Sequence, residues 1–331
     1  MRIALDAMGG DYAPQEIVAG AVAYLRSGLS PVQITLVGDA ERIERCLADQ
    51  RAAALPLAVV HAADVVEMNE SPAAALRKKR DASIRVAVRL VAAGQADAVV
   101  GAGNTGAVVA SAKLELKSLP GIDRPGIAAL IPGPLGATVL IDAGATVNCK
   151  PVHLLQFAKM GACYARNVLH RAHPMVGLLS VGEEDAKGTE VTREAFRLLR
   201  ESPLHFYGNV EGRDFFSGKV DVIVCDGFVG NVALKVMEGM GHGIRMLFEH
   251  TANAKWWLRL LQGLIVRPVV GRVGRRMDYT RFGGAPLLGA AGTVICAHGN
   301  SRAATIANAI ERAREAVAQQ LNERITEALA Q

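Results

Sequence analysis

Residues 220–239 read VDVIVCDGFVGNVALKVMEG, and this stretch decides the fold. Apolar residues run through Val224 and Cys225 to a corner of Asp226, Gly227, Gly230 and Asn231, and apolar positions then return at helical spacing. A short apolar run bounded by a turn reads as a buried strand, and this turn hands the chain to a helix. The corner sits where a nucleotide-binding turn would sit, yet it lacks GxGxxG. What it holds instead is the question for the whole chain.

The same form recurs in both directions. RIAL (2–5) precedes a helix over about 13–26, and VQITLVG (32–38) precedes DAERIERCLADQ, where Asp39 is placed to cap. LAVVHA (57–62) leads into SPAAALRKKRDASIRVAVRLVAAG, which starts at Ser71-Pro72 and stops at Gly94. ADAVVGAGNTGAVVASAKLEL (96–116), ATVLIDAGATVNC (137–149), MVGLLSVGEEDAKGTEVTREAF (175–196) and GTVICAHGNSRAATIANAI (292–310) repeat it, with a last helix running nearly to the C-terminus. Such alternation predicts an α/β fold built on a doubly wound, mostly parallel sheet. No repeat or low-complexity linker interrupts it, so residues 1–331 read as a single domain. Residues 232–281 depart from the pattern: they contain no strand signal and read as a helical hairpin projecting from the sheet.

Composition agrees with buried parallel strands under helices. The chain is 50% hydrophobic but only 5% aromatic, so its core is built from Ala, Val, Leu and Ile. A net charge of +5 hints at acidic partners, while basic patches interleaved with aromatics, the footprint of nucleic-acid binding, are missing outside the hairpin. Five scattered cysteines without a CxxC pair suggest neither a disulfide framework nor a zinc site, and fit a reducing compartment. Asp6 interrupts the N-terminal apolar run where a signal peptide needs continuity. PGIAALIPGPLGATVLI (125–141) reads as two strands around a Pro/Gly turn, not a spanning helix. The expected location is the cytoplasm.

In open α/β sheets ligands bind beyond the carboxyl ends of the strands. Several expected strand exits carry similar small polar residues: Asp6, Gly9 and Gly10; Gly103, Asn104, Thr105 and Gly106; Asp142 and Gly144; Asp226, Gly227, Gly230 and Asn231; and His298. Lys187 stands in a glycine-flanked loop, GEEDAKGTE. Glycines admit close approach of backbone N–H groups, and helix N-termini favour anions, so a phosphate-like ligand is the natural occupant if these corners gather at one end of one sheet. Each corner taken alone also reads as ordinary turn and cap chemistry, Cys225 as a small core residue, and Lys187 as a solvated surface charge.

No GxSxG, HExxH or Walker A pattern is present. Amide donors, one lysine and few general bases suit a substrate that brings its own nucleophile. Inorganic phosphate attacking a thioester carbonyl fits: the dianion needs positioning, the oxyanion needs donors, and a thiolate of pKa near ~8.5 leaves without strong acid assistance. The residues by themselves lead to an anion site in an α/β fold.

Six motifs occur in order: IALDAMGGDYAPQEIVAGA, GAGNTGAVVASA, IDAGATVNCKP, GEEDAKGTE, CDGFVGNVALK and GGAPLLGAAGTVICAHGNS. Together they resemble the phosphate acyltransferase (PlsX) family, the acyl-carrier-protein:phosphate transacylases of bacterial phospholipid synthesis, from residue 2 to about residue 315. The resemblance implies a three-layer α/β/α sheet, a homodimer, and conversion of acyl-ACP and inorganic phosphate into acyl phosphate, with no cofactor and no metal. It implies that acyl phosphate passes to a membrane glycerol-3-phosphate acyltransferase. It points to Lys187 and Asn231, which we read as pairing with phosphate and donating to phosphate or the oxyanion, with Asn104, a further expected catalytic donor, and Thr105 lining the same pocket.

In the hairpin, Trp256, Leu260 and Leu264 form one i,i+4 row, and Trp257, Leu261 and Ile265 the next, with arginines following. This describes either a helix lying on an anionic membrane or a dimer contact, and the resemblance favours peripheral membrane association. Acyl carrier protein is acidic, and RKKRDASIR (77–85) and the hairpin arginines are its expected landing sites. The rival readings are a phosphotransacetylase-like enzyme using acyl-CoA, an NAD-dependent dehydrogenase on a similar fold, and a membrane-surface scaffold.

Overall fold

The computed structural model describes residues 1–252 and 283–330. Among them, eleven strands join in one sheet: β1 (Arg2–Asp6), β2 (Gln33–Gly38), β3 (Leu57–His61), β4 (Ala98–Gly101), β5 (Gly126–Gly133), β6 (Gly136–Ile141), β7 (Val176–Leu179), β8 (Phe206–Val210), β9 (Val222–Val224), β10 (Ala285–Leu288) and β11 (Thr293–Cys296). The helices between and after them are α1 (Gln15–Ser27), α2 (Ala40–Asp49), α3 (Pro72–Lys78), α4 (Ser83–Ala92), α5 (Thr105–Glu115), α6 (Pro151–Asn167), α7 (Glu190–Glu201), α8 (Gly227–Ala252), α9 (Ala303–Ala318) and α10 (Leu321–Ala330).

The strand order is β3-β2-β1-β4-β11-β10-β5-β6-β9-β7-β8. The first five strands of this order are mutually parallel, and so are the last four. Between the two blocks, β11–β10, β10–β5 and β5–β6 are all antiparallel. Three reversals turn the second block against the first. The α/β expectation holds, but the expectation that all the corners share one end of the sheet does not. The exits of β1, β4 and β11 point one way, and those of β6, β7 and β9 the other. Prolines and glycines that read as a turn do form the β5–β6 hairpin, and that hairpin makes one of the reversals.

The reversal leaves the two sets of exits close together at the centre because β10 is only four residues long. Cys296 pairs with Ala285, whereas Leu287 pairs with Ile127, whose N–H donates to Asp142 at 2.9 Å. Two residues of one strand, about 7 Å, therefore separate the level of one exit from that of the other.

Helices cover both faces, giving the α/β/α layering. On one face, a continuous apolar cluster runs across both blocks, from Val99 and Val108 through Leu287 and Ile127 to Ile223 and Cys225. The other face is divided: α1 and α9 cover the first block through Ile17, Val18, Ile306 and Ile310, while α6, α7 and α10 cover the second through Phe157, Met160, Leu199 and Ile325. The core is dominated by Ala, Val, Leu and Ile, as composition requires.

Local departures have tertiary causes. Residues 71–94 form two helices rather than one, because Asp64 bridges Ala82 in parallel and accepts Ser83 N–H at 2.9 Å, pulling the chain out of helical geometry. The last helix is likewise broken at Gln320, which takes a left-handed φ of 51°. Strand β10 was not foreseen; its four residues carry too little pattern. Of the expected hairpin over 232–281, residues up to Ala252 belong to α8. Trp256, Trp257, Leu260, Leu261, Leu264 and Ile265 lie outside the described residues.

Candidate functional site

The corner after β9 is built around Asp142. This carboxylate is fully buried and accepts N–H bonds from Ile127, Gly144 and Ala145 on Oδ1 (2.9–3.0 Å) and from Thr146 on Oδ2 (2.6 Å). Burial raises its pKa, and the four amides oppose that rise. Asp142 thus folds the loop after β6 onto itself and has no oxygen aimed at a ligand. A Cβ on Gly227 would come within 2.7 Å of Asp142 Oδ2, and one on Gly230 would collide with Asp142 O. Asp226 Oδ1 accepts Phe228 N and Val229 N, both at 2.9 Å, and Gly227 N donates to Thr146 O at 2.9 Å. The first amides of α8 are therefore occupied by the protein itself. The glycines and aspartates that raised the opening question hold the start of α8 against the loop after β6.

One polar group at this corner is left over. Asn231 is exposed, lies 3.5 Å from the position of a Cβ on Gly144, and its amide has no hydrogen-bond partner among the described residues. The neighbouring exit, after β7, carries Lys187, also exposed and without an ion pair among the described residues. Its backbone is fixed: Lys187 N donates to Glu184 O at 3.0 Å, and buried Asn209 donates to the same carbonyl at 2.8 Å. Lys150, on the loop after β6, is a further exposed cation with no ion pair among the described residues, and sequence reading passed over it. Because β9 lies between β6 and β7, these three loops are neighbours on one edge.

The opposite exits are closed by packing. A Cβ on Gly9 would stand 2.7 Å from Gly103 N and from Asp6 Oδ2, and one on Gly10 would stand 2.9 Å from Ala102 O and Gly299 O. These glycines let three loops pack backbone against backbone. Asp6 is buried, accepts Met8 N at 3.1 Å and meets Ser83, and burial pushes its pKa up to about 6. Asn104 caps α5 by accepting Ala107 N at 3.2 Å, and its Nδ2 donates to the carbonyls of Glu67, Met68 and Glu70 (3.0–3.3 Å). Both ends of its amide are spent, so the expected catalytic donor is a cap and a staple for residues 67–70. Thr105 is the exposed first residue of α5, and Gly106 admits Pro72, whose Cγ would be 2.6 Å from a Cβ there.

Helix α8 joins the two sets of exits. Gly230 packs on Asp142, and two turns later Glu238 Oε1 lies 3.2 Å from His298 Nε2, at the exit of β11. Between these points Ala233, Leu234 and Met237 pack on the apolar cluster that contains Leu287, Cys225 and Cys296. Burial holds the His298 pKa down, with Glu238 opposing. The thiols beneath are kept neutral. Burial, reinforced by Asp142, pushes Cys149 and Cys296 up to about 12 and Cys225 well above the ordinary thiol value. Burial disfavours the thiolate at each. The exposed Lys187 ammonium and Asn231 amide stand on the loops after two neighbouring parallel strands, β7 and β9.

Comparison with known proteins shows the family and the fold. The family model described as fatty acid synthesis protein matches residues 1–324. A phosphate acyltransferase of Syntrophotalea carbinolica is 49% identical over 323 residues, covering 98% of this chain and 92% of that one. One from Heliobacterium modesticaldum is 50% identical over 321 residues, covering 96% and 95%. Among solved structures, a phosphotransacetylase from Streptococcus pyogenes superimposes with a TM-score of 0.65 at 18% identity, over 95% of this chain and 94% of that chain, which is a likeness of fold.

Proposed function

This chain belongs to the fatty acid synthesis protein family, and from that premise we propose that it is the acyltransferase that moves a long-chain acyl group from acyl carrier protein to inorganic phosphate. Its relatives at about half identity are phosphate acyltransferases, which supports phosphate as acceptor. The observation that supports the reading is that Lys187 and Asn231 have no side-chain partner among the described residues and stand at adjacent exits, where Asp142 and Asp226 are used internally.

A phosphate oxygen attacks the thioester carbonyl carbon, the C–O bond forms, the C–S bond breaks, and the carrier thiolate leaves as acyl phosphate forms. Lys187 pairs with the phosphate dianion, and Asn231 donates to the oxyanion of the tetrahedral intermediate. Attack is direct, a reading supported by the burial that disfavours a thiolate at Cys149, Cys225 and Cys296. The product feeds phospholipid synthesis through a membrane glycerol-3-phosphate acyltransferase, and the enzyme works as a cytoplasmic homodimer in peripheral contact with anionic membrane.

Thiol release from palmitoyl-ACP, measured with and without inorganic phosphate and with hydroxylamine to trap acyl phosphate, tests the reaction. Phosphate-dependent release with a trapped product is expected. Release that ignores phosphate would make this a thioesterase-like site, and equal turnover of palmitoyl-CoA would favour a phosphotransacetylase.

A further inference from the structure

The chain's charge excess is concentrated in one layer. Residues 72–117 hold eight lysines and arginines against Asp81, Asp97 and Glu115, an excess equal to the +5 of the entire chain. Part of it is consumed locally: Lys79 Nζ binds Glu70 at 2.5 Å and Val65 O at 2.6 Å, while Arg85 and Arg89 share Glu115 at 2.6 and 3.3 Å. Arg77, Lys78 and Arg80 are exposed and have no ion-pair partner among the described residues, and neither has Lys113 on α5. Arg85 ties α3 to α5, with Nη1 donating to Leu76 O at 3.1 Å while Nε holds Glu115. Arg77 and Lys78 directly follow Leu76, so they border the surface where Arg85 joins α3 to α5. Leu114 on α5, 53% exposed, is the one exposed large apolar side chain in residues 72–117.

We propose that this α3–α5 surface docks the carboxylate-rich face of the acidic protein that carries the acyl thioester, an assignment that rests on the reaction read above. Charge complementarity is the argument: free cations that make no internal pair raise the encounter rate with an acidic partner and fix its register. A single-stranded nucleic acid finds no Phe, Tyr or Trp in residues 72–117 on which to stack. An anionic bilayer wants a broad apolar face, and Leu114 alone does not make one. The surface is also connected to the site. Pro72, at the start of α3, packs on Gly106 beside the corner that Asn104 caps. Asn104 holds Met68, which lies against Gly299, next to His298, and His298 meets Glu238 of α8. From Glu238 the helix leads back to Asn231 over about 10 Å. A carrier seated on α3 and α5 stands at the rim, and its thioester arm reaches inward.

The test compares the unaltered enzyme with the triple variant Arg77→Glu, Lys78→Glu, Arg80→Glu. Binding of holo-acyl carrier protein is followed by fluorescence anisotropy, and turnover is followed with palmitoyl-ACP and palmitoyl-CoA. Weakened carrier binding and a KM for palmitoyl-ACP raised on the order of tenfold are expected, with the KM for phosphate, kcat and any palmitoyl-CoA turnover unchanged. The carrier affinity of the unaltered enzyme should also fall with added salt, and that of the variant should respond less. Unchanged carrier binding in the variant overturns the docking assignment. Binding that the variant loses while the unaltered enzyme turns over no palmitoyl-ACP would keep the surface and sink the reaction. A parallel loss with both donors, accompanied by a lowered melting temperature, would mark a folding defect and overturn the assignment.

Discussion

Among the described residues, the side chains of Lys187 and Asn231 have no partner, whereas those of Asp142, Asp226 and Asn104 are engaged. Lys187→Ala should raise the phosphate KM by about 10- to 100-fold, the worth of one charge-assisted contact, while Asn231→Ala should chiefly lower kcat by about 100-fold or more. Steady-state kinetics at varied phosphate separate the two, and normal phosphate saturation in Lys187→Ala would remove the phosphate role. Asp6 has a different signature. Its pKa in the fold, about 6, lies above the 3.8 of an ordinary aspartate, so the folded protein binds more protons than the unfolded chain between those values. Stability should therefore fall by up to about 3 kcal/mol as pH rises through that window. Asp6→Asn should flatten the dependence, measured by urea unfolding from pH 4 to pH 7; an unaltered slope would place the titration elsewhere.

At the scale of elements, the starts of α5 and α8 use the same device for opposite ends of the sheet. Each is held by a side chain at the strand exit, Asn104 for α5 and Asp226 for α8, and each draws in a second loop. Asn104→Ala removes a cap and orphans three carbonyl contacts, so unfolding free energy should drop by about 1–2 kcal/mol, with amide exchange in residues 65–70 accelerated. If exchange there is unchanged, the staple holds nothing. Helix α8 also presents Phe228, Val232, Val236 and Met240 at i,i+4 spacing, each more than 45% exposed. We propose this row as the contact between subunits. Val236→Glu should shift sedimentation toward monomer, and an unshifted dimer would place the contact elsewhere.

For the whole molecule, the decisive feature is the opposed pair of parallel blocks. Reversal at β10, β5 and β6 brings carboxyl ends from both directions to one central seam, and α8 spans it. In the reaction proposed above an apolar product passes to a membrane enzyme, and Trp256 and Trp257, which lie outside the described residues, are the expected membrane contact. Among the described residues no helix is long and apolar enough to cross a membrane. Trp257→Glu should weaken co-sedimentation with phosphatidylglycerol vesicles while leaving phosphate-dependent turnover in solution intact. Undiminished sedimentation would dismiss the membrane role.

The sequence by itself determined what local pattern can carry. The alternation of short apolar runs with helical spacing established the α/β class, the Pro/Gly-rich 125–141 segment established a hairpin, and six ordered motifs established the family. Lys187 and Asn231 stand out in the sequence as polar residues at expected strand exits, and the structure places them on the loops after β7 and β9. Only the tertiary structure decided which candidates were free. Whether a carboxylate or amide faces a ligand depends on which backbone groups lie within about 3 Å of it. Asp142 gathers donors from Ile127 and from its own loop, and Asn104 spends its donor on residues more than thirty positions away. Strand direction was equally hidden, because β10 is too short to announce itself and a run of apolar residues reads the same whether its neighbour is parallel or antiparallel. Pairing across the sheet, a relation between distant residues, set both the seam and the list of groups left open on it.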